Sequence, residues 1–470
     1  MSVHAPAGTP ALKQSLSVGQ LTMMSIGGAI GAGLFVGSGG AVSMAGPAVL
    51  IAYLVAGVLV ILLMFMLGEM AASAPSSGAF AVFAERAMGR VAGTTIGWLY
   101  WIQMIIVVAA EATGAAAIVN MWFPALGIGG WVVVFMVVLT AVNLFDVSNY
   151  GTVEFWFAAL KVAAIVAFLV LGVLILLGVM PGVPAPGLAN LVEHGGFMPN
   201  GIAGVAGALL IVIFSFGGTE IVAIAAAETA NPSMSIRRAV RGVLGRIIVF
   251  YLGSVFIIVT VLPWNDPAVA EGPFVAVLRL TQIPGADLIM SIVIVIALLS
   301  ALNANLYASS RMFFSLAARG NAPRMIARVS SRGCPWIAVL CSVVVGFVTG
   351  IIMIINPDEN LLNPLLQIIG STLIVLWITI SLSYVILRRR AEHSGAEIPF
   401  KMWGYPVLPA FALLVLLAIV ILTMTDPGAR TQLLATLSLT AIIAVIAGVV
   451  MAWQRRSRKE RDSVPGREHP

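Results

Sequence analysis

The chain has 470 residues, of which 60% are hydrophobic and 9% are charged, and its mean hydropathy is +1.06. These values exclude an ordinary soluble domain and indicate a chain that is embedded in a membrane almost throughout. The net charge of +6 does not indicate nucleic-acid binding, because the basic residues are distributed among loops and form no single patch.

Twelve apolar stretches are long enough to cross about 30 Å of hydrocarbon, and we number them as spans 1 to 12. They cover residues 19–41, 47–72, 93–123, 128–147, 155–179, 202–228, 242–263, 286–317, 336–355, 361–387, 405–425 and 431–453. Residues 1–18 lack a signal-peptide core and are predicted to be a cytoplasmic segment before a retained first span. In this orientation all but three of the 25 Lys and Arg residues lie on the cytoplasmic side, which predicts that both termini, including the tail 454–470, are cytoplasmic.

Two of the spans contain glycine-rich interruptions. Span 1 carries GGAIGAG at positions 27–33, and span 6 carries FSFGGTE at positions 214–220. Unwound backbone is tolerated in hydrocarbon only where it lines a cavity or is buried in protein, and paired breaks point to a binding site near the midplane. We therefore predict an all-α membrane transporter whose residues 19–180 and 201–388 form a 5+5 inverted repeat with helices 1 and 6 broken, followed by two extra helices in 405–453. The alternative for the glycines is close helix packing through small residues.

The spans offer little for enzymatic or metal chemistry. The two cysteines, Cys334 and Cys341, lie in or beside a cytoplasmic loop, where a structural disulfide is disfavoured. The four histidines occupy termini or loops, which predicts no metal and no cofactor. There is no P-loop sequence for ATP, and no nucleophile accompanies the ionisable residues of the spans, so we do not expect an enzyme.

Several motifs carry a family resemblance that covers nearly the whole chain. In chain order they are GGAIGAGLF at 27–35, GEM at 68–70, EFWF at 154–157 with Lys161, GGFMPNG at 195–201, ETANP at 228–232 and SSRM at 309–312. The chain thereby resembles the bacterial amino acid permeases of the amino acid–polyamine–organocation superfamily, in its amino acid transporter family. Within that family, GWLYW at 97–101 and IVAIAAAE at 221–228 are most similar to the γ-aminobutyrate permeases.

The resemblance implies the 5+5 fold with two added helices, a location in the bacterial cytoplasmic (inner) membrane, and uptake of an amino acid together with a proton. It also implies that the backbone amides of Gly31, Ala32 and Gly33 receive the substrate carboxylate, consistent with free N–H groups at a helix start. We assign the substrate ammonium to carbonyls at the ends of the first half-helices, and place Ser215 and Phe216 in the same site. The assigned carbonyls belong to Ala29, Phe214 and Gly217. The two phenylalanines either close the cavity or serve only in packing.

Three ionisable residues lie well inside spans, and two of them are Glu111 and Lys161. Glu111 is near the centre of span 3, where an isolated carboxylate tends to bind a proton, so it is our candidate for proton coupling or for contact with the substrate amine. The alternative is a neutral, structural glutamate. Lys161 is in span 5, and the resemblance implies that its ammonium replaces the ion of sodium-coupled relatives and braces span 1 against span 8. The alternative is that Lys161 extends to the cytoplasmic interface.

Three further polar residues are assigned to gating or recognition. Glu220 follows the span 6 break and is a candidate gating residue or a helix cap. Asn303 in span 8 either contacts the substrate or bonds a neighbouring helix. Glu69, near the cytoplasmic end of span 2, is predicted to pair with a loop arginine such as Arg86.

The function predicted from the sequence is proton-coupled import of a small amino acid, γ-aminobutyrate (GABA) or a close analogue, by alternating access. A permease or exchanger for an aromatic, cationic or proline substrate is the alternative, and the oligomeric state is left open. A nutrient sensor is disfavoured because no long signalling tail follows span 12. The expected partners are the amino acid, protons and the lipid bilayer, with no nucleic acid.

Overall fold

The computed structural model describes residues 30–73, 79–145, 150–183, 185–219, 232–330 and 333–462. Within these ranges the structure is all-helical and contains no strand. The helices of the first predicted repeat are α1 (Ala32–Phe35), α2 (Gly37–Ala45), α3 (Val49–Ser73), α4 (Ala79–Met88), α5 (Arg90–Trp122), α6 (Gly127–Phe145) and α7 (Tyr150–Leu176).

The second predicted repeat begins with α8 (Gly201–Ser215) and α9 (Pro232–Arg246), and a π-helix over Ile247–Leu252 leads from α9 into the next helix. The remaining helices are α10 (Gly253–Val261), α11 (Pro267–Glu271), α12 (Pro273–Leu280), α13 (Ala286–Ala318), α14 (Trp336–Ile355), α15 (Leu362–Ser394), α16 (Val407–Thr423) and α17 (Pro427–Asp462).

The helices are those of a multi-pass membrane protein. Among the described residues, nine segments are long and apolar enough to cross a membrane, and α8 and α16 are shorter apolar helices. Predicted span 1 begins before residue 30, and residues 220–231 of predicted span 6 also lie outside the described ranges. The count of twelve spans and the inverted repeat therefore stay predictions.

Burial separates a central group of helices from a lipid-facing group. Most of α5 and α15 is buried, whereas little of the segment Pro427–Gln454 of α17 is buried, and it exposes apolar side chains such as Val445 and Val449. In a membrane protein such an exposed apolar surface faces lipid. The polar side chains of α5 and α15 are therefore the ones that face protein or an internal site.

Glycines allow the central helices to approach closely. A Cβ at Gly370 of α15 would overlap the carbonyl oxygen of Leu210 in α8, so these helices touch through their backbones. In the same way, a Cβ at Gly129 of α6 would lie 2.6 Å from the carbonyl oxygen of Gly350 in α14. Small residues at contacts of this kind are how membrane helices gain packing energy.

Helix ends lie inside both spans that were predicted to be broken. Helix α1 begins at Ala32, with Gly31 in an extended conformation before it. Helix α8 ends at Ser215 and is followed by a turn in which Gly218 has φ +88°, a value that favours glycine. The start of α1 and the end of α8 define the location of the candidate site.

Candidate functional site

The start of α1 and the end of α8 are in direct contact. The Ser215 hydroxyl donates a hydrogen bond to the carbonyl oxygen of Gly33 at 2.7 Å and also approaches its own helix at Ile211. A Cβ at Gly33 would lie 2.6 Å from the Cα atom of Ser215. The two helix ends within the predicted breaks therefore meet, and glycine at position 33 makes that approach possible.

The Glu111 carboxylate occupies the start of α1. Its Oε1 and Oε2 atoms accept from the backbone N–H of Ala32 at 3.1 and 3.0 Å, and only 3% of the residue is exposed. A Cβ at Gly31 would overlap Oε1 of Glu111, so glycine at this position leaves room for the carboxylate. The amide that was predicted to receive the substrate carboxylate is thus already paired with a carboxylate from α5.

Lys161 is a residue of α7 that lies deep in the protein, with its side chain directed at α13. Its side chain is fully buried, and its Nζ atom donates to the Ser300 hydroxyl of α13 at 3.2 Å. The ammonium also acts electrostatically on Glu111. A buried charge is costly unless it is paired or hydrogen-bonded, so the lysine and the glutamate reduce each other's cost. The side chain does not reach the surface of the protein.

Comparison with known protein families identifies the family of this chain. A family model described as "Amino acid permease" matches residues 20–464. The chain belongs to the amino acid permease family. This confirms the resemblance found in the sequence, and the transporter character of the family points away from an enzyme.

Named relatives cover nearly all of the permease. A probable GABA permease of Pseudomonas aeruginosa is 45% identical and covers 96% of this chain and 94% of its own length. The gamma-aminobutyric acid permease of Bacillus subtilis is 41% identical, with 98% and 96% covered. The aromatic amino acid transport protein AroP of Corynebacterium glutamicum is also 45% identical, with 90% and 91% covered. The relatives therefore differ in the substrate that their names give.

At the span 6 break, the carbonyl of Phe214, a predicted ammonium ligand, and the carbonyl of the neighbouring Phe216 make local hydrogen bonds in this permease. The Phe214 carbonyl accepts from the N–H of Gly217 at 2.8 Å, and the Phe216 carbonyl accepts from the Thr219 hydroxyl, also at 2.8 Å. Gly217 itself is partly exposed, and Phe214 is buried. Ala29, the matching residue of span 1, and Glu220, the candidate gating residue, lie outside the described residues.

An aromatic cluster lies against the break. The Phe216 ring is fully buried, with centroid distances of 5.9 Å to Tyr53 of α3 and 4.8 Å to Tyr251 of the π-helix. This arrangement corresponds to the packing alternative for Phe216. Tyr53 and Tyr251 could not be identified as site residues from the sequence, because no local pattern distinguishes them from the apolar residues around them.

Asn303 bonds a neighbouring helix. Its Oδ1 atom accepts from the Nδ2 group of Asn143 in α6 at 2.7 Å. This contact is the interhelical alternative stated above, and a role in substrate contact stays a prediction. Two asparagines in different spans could have suggested an interhelical pair. The sequence does not show which helices face each other, so the partner of Asn303 could not be predicted.

Glu69 pairs with an arginine other than the one predicted. Its carboxylate accepts from Arg388 and from the Tyr384 hydroxyl, both in α15, and from the backbone N–H of Met402, at 2.5, 2.9 and 2.6 Å. The expected partner Arg86 was wrong because the nearest arginine in sequence is not the nearest one in space. Glu69 therefore joins α3 to α15 and to the segment that follows α15.

No group of residues that could hold a metal ion occurs among the residues that the structure describes. The site consists of backbone groups at two helix ends, one carboxylate, one ammonium and hydroxyls. These are the groups that recognise a zwitterion, because a carboxylate needs N–H donors and an ammonium needs oxygen acceptors.

Proposed function

We propose that this permease imports a small amino acid, GABA or a close analogue, together with a proton, by alternating access. The family and the GABA permeases among its relatives support amino acid transport. The observation that carries the proposal is the contact of both Glu111 oxygens with the Ala32 amide. It supports a site in which a carboxylate of the protein holds the place of a carboxylate of the substrate.

Substrate binding then proceeds by exchange of like groups. The substrate carboxylate replaces Glu111 at the Ala32 N–H, and the ammonium reaches the oxygen atoms at the break, among them the Gly33 carbonyl that Ser215 now occupies. Because each incoming group has the same hydrogen-bonding character as the one it displaces, no buried amide or carbonyl is left unpaired for long. In this proposal the backbone N–H groups of Gly31 and Gly33 also donate hydrogen bonds to the substrate carboxylate.

Proton coupling follows from the displacement. A Glu111 carboxylate that has lost the Ala32 amide stands close to the substrate carboxylate, and two like charges in a water-poor site repel. Binding of a proton by Glu111 removes the repulsion. Lys161 holds a fixed positive charge nearby and, through Ser300, keeps α7 attached to α13 while this exchange takes place.

The test is Glu111→Gln in proteoliposomes, compared with Glu271→Gln at an exposed position of α11. Glutamine keeps an oxygen that accepts from Ala32 but cannot titrate. We expect E111Q to retain substrate counterflow and to lose uptake driven by an inward pH gradient, while E271Q retains both. Gradient-driven uptake that is unchanged in E111Q, or wild-type uptake that is insensitive to the gradient, would contradict the proposed coupling.

A second candidate substrate class is the aromatic amino acids. It is favoured by the AroP relative, whose 45% identity to this chain equals that of the probable GABA permease. Competition of labelled GABA uptake by β-alanine, proline, phenylalanine, tryptophan and arginine separates the two. Inhibition by β-alanine and not by phenylalanine or tryptophan is expected for a GABA carrier, and the reverse order selects the aromatic class. Counterflow by the wild type without any net uptake into substrate-free vesicles under an inward pH gradient selects an exchanger.

A further inference from the structure

The hydroxyl of Tyr53 is buried beside the site and lacks a partner. The residue is fully buried in α3, and its OH group forms no hydrogen bond among the described residues. Burying a hydroxyl without a partner is unfavourable, and a phenylalanine would fill the same space without that penalty. An orphaned buried polar group in a native structure therefore calls for a state in which it is paired.

The position of Tyr53 indicates what that partner is. Its hydroxyl lies beside the side chain of Ser215 but does not meet hydrogen-bond geometry with it, and its ring packs against Phe216 and Tyr251. Ser215 in this conformation is engaged with the Gly33 carbonyl. The Tyr53 hydroxyl is therefore next to the one described side chain that ties the two breaks together.

The backbone behind this cluster is unusual as well. Tyr251 belongs to the six-residue π-helix Ile247–Leu252, and π-turns inside helices frequently mark functional positions. The Tyr251 side chain has its own polar neighbour in Arg246, so it does not compete for Ser215. The π-helix and α3 thus fix the Tyr53 ring while its hydroxyl is left available.

We propose that Tyr53 is a positioning residue that exchanges with Gly33 as the hydrogen-bond partner of Ser215 during the transport cycle. In the present conformation Ser215 donates to Gly33 and Tyr53 is unpaired. When the breaks separate, Ser215 pairs with the Tyr53 hydroxyl, and the Gly33 carbonyl becomes free for the substrate ammonium. The exchange keeps Ser215 paired in both conformations and so lowers the barrier between them. This inference rests on the proposed transport function.

The experiment is Tyr53→Phe, with Ser383→Ala as the matched control. Ser383 also has a buried hydroxyl without a partner, but it lies ten residues along α15 from Leu373, which contacts the break at Gly217, or about 15 Å away. We expect Y53F to leave the melting temperature unchanged or raised, to lower the maximal rate of counterflow by about three- to tenfold and to change KM less than twofold. S383A should leave both kinetic constants unchanged.

A double-mutant cycle with Ser215→Ala tests whether Tyr53 acts through Ser215. In the S215A background the Y53F substitution should have no further effect on the maximal rate, because the partner is already missing. A lower melting temperature for Y53F would mean that the hydroxyl stabilises this conformation, and an unchanged maximal rate would mean that it is idle. Additive effects in the cycle would also overturn the proposal. Absence of any amino acid transport by the wild type would instead contradict the proposed function.

Discussion

The Glu69 cluster gives the most quantitative prediction that the structure allows. The Glu69 carboxylate accepts three hydrogen bonds, from Arg388, Tyr384 and Met402, and the side chains of the Glu69–Arg388 pair are only 4% and 9% exposed. Glu69→Gln removes the charge that compensates a buried guanidinium. Breaking a buried ion pair from one side costs about 3–5 kcal/mol, far more than an exposed pair is worth.

The structure also supplies the reason to expect the lower end of that range. Arg388 donates in addition to Glu392 at 2.9 Å, and Glu392 is 43% exposed, so part of the guanidinium charge stays compensated in E69Q. We therefore expect E69Q to lower the free energy of unfolding by about 3 kcal/mol. Glu392→Gln, which breaks only the exposed contact, should cost less than about 1 kcal/mol.

Thermal unfolding of the purified protein in detergent measures the difference. With an unfolding entropy of about 2.1 cal/mol/K per residue, a chain of this length loses about one degree of Tm for each kcal/mol. E69Q should therefore melt about 3 °C below the wild type, and E392Q within about 1 °C of it. The double variant Glu69→Gln with Arg388→Gln should lose less than the sum of the single losses, because neither charge is then left alone.

Two results would contradict this prediction: E69Q that melts like the wild type, or E392Q that lowers Tm as much as E69Q does. The first result would mean that the carboxylate contributes no net stability, so that desolvation of the pair cancels its attraction. The second would mean that Arg388 depends mainly on its exposed partner. An additive double variant would show that Glu69 and Arg388 act independently despite their contact.

Two further predictions concern helix packing and a loop thiol. Gly370→Ala should lower uptake at least about tenfold, because its Cβ would overlap the Leu210 carbonyl and two packed helices would have to separate. Gly448→Ala, where a Cβ meets open space, should match the wild type, and equal uptake and Tm for both variants would contradict this. Burial raises the pKa of the Cys334 thiol, so less of it is thiolate at neutral pH than of an exposed cysteine. In a Cys341→Ser background, iodoacetamide should label it more slowly than free cysteine at pH 7.5, and the rate should keep rising at pH values where free cysteine has levelled off; equal rates would refute it.

Local sequence chemistry predicted where two helix ends lie inside spans 1 and 6. Helix α1 begins at Ala32 and α8 ends at Ser215, within the glycine-rich stretches that were identified from the sequence. This works because unwound backbone in a membrane depends on residues that favour it, and glycine leaves a visible signature. Hydrophobicity in the sequence also predicts where the long apolar helices lie. Helices α8 and α16 are shorter than the other apolar helices.

The partners of the site residues could not be predicted in the same way. Glu111 and Lys161 were identified as unusual because each is an ionisable residue in an apolar span. Their contacts to Ala32 and Ser300 join positions 79 and 139 residues apart, and only the packing of helices brings them together. The same limit explains why Glu69 was assigned to Arg86 and not to Arg388. The unpaired Tyr53 hydroxyl had no sequence signal at all.

Before any substrate arrives, the protein's own side chains already hydrogen-bond the backbone groups of the site, and this lowers the expected affinity for substrate. Glu111 pairs with the Ala32 amide, and Ser215 pairs with the Gly33 carbonyl. Under the proposed exchange, a substrate gains only the difference between its own hydrogen bonds and those that it displaces, so binding is weaker than a count of its contacts would suggest. Weak binding suits a carrier, because a substrate that binds one conformation very tightly must regain that free energy before it can leave. Substrate release then requires only that Glu111 and Ser215 return to the backbone groups that they occupy in this structure.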